Sequence, residues 1–123
     1  MISEENYRLL IKWLNIHNNG RNTADYLKRK NIKKVAIYGM GDLGIILYDE
    51  LIRGGIEISY VIDKNADLLN LDIDSDVKSP DDDFCKVDAI IVTSLVYFDE
   101  IRSIIENKVP YKILSIETMI DDA

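Results

Sequence analysis

Ten consecutive residues, Val35-Ala36-Ile37-Tyr38-Gly39-Met40-Gly41-Asp42-Leu43-Gly44, constrain this chain more than any other stretch. An apolar run breaks into three glycines spaced G-x-G-x-x-G and continues with helical periodicity, the pattern of a strand that turns sharply into a helix. Each glycine has a separate task in such a turn. Gly39 makes the tight reversal, Gly41 lets backbone approach a ligand, and Gly44 lets helix pack closely on strand. Context adds weight, because Asp63 closes the next apolar run about 20 positions later, where a ribose hydroxyl is usually held.

The rest of the chain alternates strand and helix signals around that turn. Residues 33–38 read as a central parallel strand, near-continuously apolar. Leu43, Ile46, Leu47 and Leu51 then repeat on one helical face, with Asp49, Glu50 and Arg53 directed to water and Gly54-Gly55 as the stop. Residues 56–62 form the second strand, and a helical turn follows over 66–69. Residues 71–84 are aspartate-rich and aperiodic, a connection holding at most a short strand around Val77. A buried strand over 87–93, a helix over 97–107 with Ile101, Ile104 and Ile105 inward, a strand over 111–115 and a closing helix over 116–120 complete the pattern.

Residues 1–32 precede this unit. Tyr7, Leu10, Ile11 and Leu14 fall at helical spacing behind a Ser3 N-cap, and Trp13 and Ile16 widen the apolar face. Asn18-Asn19-Gly20 ends that helix, and Thr23 caps a shorter one that closes on Lys28-Arg29-Lys30. The expectation is a helical hairpin packed on the sheet or on a second copy of the chain. The whole reads as an α/β, three-layer, Rossmann-like fold, its five parallel strands ordered 3-2-1-4-5, with residues 1–32 as a helical extension of the domain at 33–123.

In open sheets of this kind ligands bind beyond the carboxyl ends of the strands, where strand order reverses. That crevice would be lined by Gly39, Met40, Gly41, Asp42, Leu43, Gly44, Asp63, Lys64, Thr93 and Ser94. Asp63 would accept from an adenosine ribose and repel a 2′-phosphate, favouring NAD over NADP; the alternative is that it merely solvates a strand end. Asp42 stands where the helix begins, and a carboxylate there can cap the amides that would otherwise meet a pyrophosphate. An S-adenosylmethionine site is disfavoured, because Ile37-Tyr38 stands where its acidic residue belongs.

Other apparent motifs carry less. Tyr26 to Lys30 and Tyr60 to Lys64 match a Tyr-x-x-x-Lys dehydrogenase spacing, but one precedes the glycine turn and the other lies on a strand, where the two side chains do not share a helix turn. Asp72, Asp74 and Asp76, with Asp83, imitate a calcium loop, but Val77 occupies the place of its obligatory glycine. Cys85 and His17 are the only residues of their kinds, which excludes a disulfide framework or a Cys/His zinc site within one chain, and Cys85 reads as a small, partly buried residue. A formal charge of -7 argues against nucleic acid and anionic membranes as partners. No leader pattern and no run of about 20 apolar residues is present, so a cytoplasmic location is expected.

Trp13, Asn19-Gly20, Tyr26-Leu27, the glycine turn, Tyr60 to Asn65, Ala89 to Thr93 and Leu114 to Glu117 together give a chain that resembles small bacterial Rossmann-like modules. These are similar to the nucleotide-binding domains beside glycosyltransferases and sugar-nucleotide-modifying enzymes of surface-polysaccharide pathways. The resemblance implies a nucleotide sugar as readily as NAD in the crevice, with Asp63 and Lys64 near the nucleoside; separately, the residues lead to no expectation of a metal. The 123 residues depart from the two-domain enzymes in showing no attached catalytic partner, so no independent catalysis is expected of them. Three functions follow: a nucleotide-binding module accessory to an enzyme, an interaction module whose N-terminal helices bind a partner enzyme or a second copy, or a small NAD-dependent oxidoreductase using Tyr38, Tyr97 or Lys64.

Overall fold

The structure, a computed structural model, describes residues 2–68 and 72–123. Two helices, α1 (Glu4–Asn18) and α2 (Thr23–Arg29), lead into β1 (Lys34–Tyr38), α3 (Asp42–Arg53) and β2 (Glu57–Ile62). A 3-10 turn at Ala66–Leu68 precedes β3 (Asp76–Lys78), then β4 (Ala89–Val92), α4 (Phe98–Lys108), β5 (Lys112–Ser115) and α5 (Ile116–Asp122). Leu69 and Leu71, where the sequence reading ended its helical turn and began its connection, lie outside the described residues.

All strand pairings are parallel and the order is β3-β2-β1-β4-β5, a Rossmann-like sheet with its order reversing between β1 and β4. One face buries Val35, Ile37, Val61, Ile91 and Leu114 beneath α2, α3 and α5, with Leu9 and Trp13 of α1 joining that core. The other buries Ala36, Tyr60, Ile62, Ile90 and Val92 beneath Ile105 of α4 and beneath Phe84 and Val87. No helix is assigned between β3 and β4; a loop serves as that crossover. It is pinned where the Tyr60 hydroxyl donates to the Cys85 carbonyl (2.7 Å) and the Tyr111 hydroxyl to the Phe84 carbonyl (3.1 Å).

Strand β2 departs from simple alternation. Val35 pairs with Ile58 but Ala36 with Tyr60, so Ser59 is an extra residue that bulges out of register. Ile58 is thereby turned to the α3 face while Tyr60 and Ile62 face the other. At the amino edge of the sheet one Asp88 oxygen accepts from the Lys33 and Lys34 amides (2.9 and 3.1 Å), tying the starts of β4 and β1. Those two backbone bonds hold the Asp88 carboxyl below its ordinary range. A depressed folded-state pKa means the bond contributes stability above the unfolded value and loses it as pH falls. Wild-type urea midpoints are therefore expected to drop below about pH 4, and Asp88→Asn to show a smaller drop across the same window.

Several local expectations are corrected. In α1 the buried side chains are Leu9 and Trp13, whereas Tyr7, Ile11 and Leu14 stand exposed. The helix has two apolar sides, and the side bearing the indole packs inward, where the ring N–H finds a carboxylate. Asn22, not Thr23, is the N-cap of α2, accepting from the Asp25 amide. Ile104 faces solvent, leaving Ile105 as the buried anchor of α4. Cys85 is exposed. Glu50 does not face water but sits among α1, α2 and α3. Among the described residues no helix is long and apolar enough to cross a membrane.

Candidate functional site

The three glycines occupy the handover from β1 to α3, and two of them are required by the fold itself. Gly39 has φ +102°, and a Cβ there would lie 2.5 Å from Thr93 Oγ1. A Cβ on Gly44 would stand 3.0 Å from the Gly39 carbonyl carbon and closer still to its oxygen. Gly44 thus sets how closely α3 approaches the end of β1. Gly41 differs. Its φ is -75°, open to any residue, and a Cβ would meet nothing within 4 Å.

The turn is braced from both sides. Thr93, buried at the end of β4, donates its hydroxyl to the Gly39 carbonyl (2.7 Å) and its amide to the Tyr38 carbonyl (3.0 Å). From β2, Asp63 accepts from the Met40 amide (2.8 Å) through one oxygen and from the Asn65 amide (2.9 Å) through the other. Asp63 therefore does more than solvate a strand end. Each of its oxygens keeps a further lone pair, so the carboxylate can still accept from a hydroxyl. Met40 and Leu43 bury their side chains in the core below.

Gly41 is the N-cap of α3, and no side chain accepts from the first-turn amides in the way a cap would. Asp42 is the first helical residue and exposed, so the self-capping read from sequence does not form. The amino end of a twelve-residue helix is left with unsatisfied N–H groups and the positive end of its dipole at the carboxyl edge of the sheet. The neighbouring charges are mixed: Asp42 and Asp63 are acidic, and Lys64 beside them is exposed.

Across the strand-order reversal, Ser94 accepts from the Tyr97 amide (3.2 Å). Beyond Leu95, Val96 and Tyr97 present large exposed apolar surface, 68% and 57%. The sequence reading gives Tyr97 as a helix start and a proton donor and assigns Val96 no role. The available signal is a run of three bulky apolar residues, Leu95-Val96-Tyr97, between a buried strand's last polar pair and the next helix, too many for a short turn to bury. A cavity of about 190 Å³ opens beside them, lined by Ser94, Phe98, Asp99, Ser115 and Glu117. A larger hollow, about 680 Å³, lies at the opposite, amino edge of the strands against Glu57, Asp72, Asp74 and Asp76. Four carboxylates make it a poor host for phosphate.

The other sequence motifs remain apart. The Tyr60 phenol is bonded to Cys85 and pushed up by burial first, then by Tyr111 and Cys85, so it is no partner for the exposed Lys64. Burial, followed by the Asp63 and Asp81 carboxylates, also raises the Tyr38 phenol. That shift disfavours Tyr38 as a base. Ser75, within the aspartate-rich loop, donates to the Ile58 carbonyl (2.9 Å) and meets the Tyr48 hydroxyl, an anchoring role. Among the described residues no group of three or more His, Cys, Asp or Glu is placed to hold a metal ion. Against protein-family models, curated proteins and solved structures the chain finds no match.

Proposed function

We propose that this chain is a nucleotide-binding Rossmann-like module that takes NAD or a nucleotide sugar at the glycine turn and has no catalytic apparatus of its own. The observation that carries this reading is Gly41. Of the three glycines it is the one for which the fold has no need, and it stands at a helix terminus whose amides no side chain caps. Backbone that is bare and electropositive at this point suits a pyrophosphate. Asp63 would then receive a ribose hydroxyl with its free lone pairs and disfavour a 2′-phosphate, and the Val96–Tyr97 surface offers an apolar rest for a base. The resemblance to modules beside glycosyltransferases favours a role next to an enzyme of sugar-nucleotide chemistry.

Thermal unfolding against NAD, NADH, NADP, UDP, UDP-sugars and S-adenosylmethionine tests the proposal. One ligand class, NAD or UDP-sugar, is expected to stabilise the protein by about 2.7 kcal/mol at 100 times its dissociation constant. Gly41→Asp is expected to abolish that shift with the unliganded midpoint little changed, because the new side chain enters open space. Asp63→Ala is a less selective probe, since it also removes the acceptor of the Met40 amide. No shift with any ligand at millimolar concentration would overturn the reading. It would favour the interaction module instead, for which the acidic Asp42 beside the turn is the specific observation.

A further inference from the structure

A parallel sheet is ordinarily covered by helices on both faces, because each crossover between strands lays one down. Here α3 covers β1 and β2, but between β2 and β3 no helix longer than the single turn Ala66–Leu68 is assigned among the described residues. The flank of α3 that such a helix would touch is apolar and open. Tyr48 and Ile52 line the side toward β3, and Ile45 precedes them at helical spacing; Ile45 and Ile52 are 47% and 48% exposed. On the sheet, Val77 pairs with Val61 and shares its face, yet Val61 is buried and Val77 is 36% exposed. The hollow of about 680 Å³ lies beside these surfaces, with Ile58 and Ile73 in its lining.

The hollow is held in shape by the Ser75 hydroxyl, which donates to the Ile58 carbonyl and meets the Tyr48 hydroxyl (3.0 Å), tying the approach to β3 to both β2 and α3. Its rim is acidic. Glu57 is matched in part by Lys34 at 3.6 Å. Asp72 and Asp74 are exposed, alternate with the half-buried Ile73 and Ser75, and enter no ion pair among the described residues. Ile45 to Ile52 spans two helical turns, about 10 Å. An apolar channel of that length with unmatched carboxylates along one side is complementary to a helix that is apolar on one face and basic on the adjoining flank. A small cation would meet the carboxylates but leave Ile45, Ile52 and Val77 bare.

We infer that the groove between α3 and β3 is a docking site in which a basic amphipathic helix of a partner protein takes the place of the crossover helix. The hollow lies at the amino edge of the strands and the glycine turn at the carboxyl edge, so the inference does not rest on nucleotide binding.

Titration of the isotope-labelled full chain with a peptide of leucine and lysine, about 18 residues patterned into one apolar and one basic face, provides the test. Amide shifts are expected to centre on Ile45, Ile52, Asp74 and Val77, with a dissociation constant of about 100 μM or tighter, as suits a small interface. Ile52→Lys and the pair Asp72→Lys with Asp74→Lys, all at exposed positions, are each expected to weaken binding about tenfold with an unchanged circular dichroism spectrum. The pair Glu5→Lys with Glu100→Lys makes the same change of net charge on distant helices and is expected to weaken it less than about twofold. Five results would each overturn the inference: no saturable shift at about 1 mM peptide, shifts centred on Tyr7, Ile11 and Leu14 of α1, an equal loss in the Glu5 and Glu100 pair, equal binding of a leucine–glutamate counterpart, or spermine held in the groove as tightly as the peptide.

Discussion

Gly44→Ala is expected to destabilise the protein by about 3 kcal/mol, the upper part of the range for forced overpacking, although it adds a single methyl group. The reason is where that methyl falls. It would sit 3.0 Å from the carbonyl carbon of Gly39 and nearer its oxygen, and both are backbone atoms that cannot rotate aside. Relief requires α3 to lift from β1, and Leu43, Leu47 and Leu51 would lose packing along with it. Gly41→Ala, three residues earlier on the same turn, meets open space and costs only what an N-cap loses on going from glycine to alanine, below about 1 kcal/mol. Urea unfolding of the two variants measures both. Midpoints displaced equally would mean that helix and strand are not in the close register described here.

The contrast between these positions also marks how far the sequence could be read. Strands β1, β2, β4 and β5 were legible because each is a short apolar run bounded by turn residues, and β1 is buried on both faces. Their order followed from strand-helix alternation and right-handed crossovers. The glycine triplet was legible as a turn, but not which glycine the fold needs, because that depends on Thr93 and on the Gly39 carbonyl, atoms distant in sequence or hidden in the backbone. Asp63 was found by its spacing from the turn, while its bond to the Met40 amide joins residues 23 positions apart and leaves no periodic trace.

Periodicity failed where it was satisfied twice. In α1 the residues Tyr7, Ile11 and Leu14 fit an amphipathic helix as well as Leu9 and Trp13 do, and nothing local decides between the faces. The decision comes from Glu50, on another helix. The Ser59 bulge is a similar case: strict alternation would put Ile58 beside Tyr60 and Ile62, and one extra residue sends it across the sheet.

Glu50→Ala is expected to cost about 3 kcal/mol, as when a buried charge network loses its centre, and to free α1 before the sheet unfolds. The carboxylate side chain is 11% exposed and bonds to the His17 ring. One oxygen accepts from the Thr23 amide (2.9 Å) and hydroxyl, and the Trp13 indole N–H bridges both oxygens at 3.1 and 3.2 Å. Alanine would leave the buried Thr23 hydroxyl and the indole N–H without their acceptor, each a costly loss. Glu50→Gln keeps one accepting oxygen but turns an amide toward donors, and should fall between alanine and wild type. Trp13 is the only tryptophan, so its emission reports this junction alone. In wild type the fluorescence and far-ultraviolet dichroism transitions are expected to coincide; in Glu50→Ala the emission should shift red at lower urea. Coincident transitions in the variant would show that α1 is held by its apolar contacts with α5 and not by this carboxylate. Separate transitions would have a functional consequence, because α3 carries the glycine turn at its first residues and Glu50 two turns later. The same helix then bears the glycine turn, the proposed nucleotide site, at one end and, about 12 Å along, the carboxylate that ties down α1.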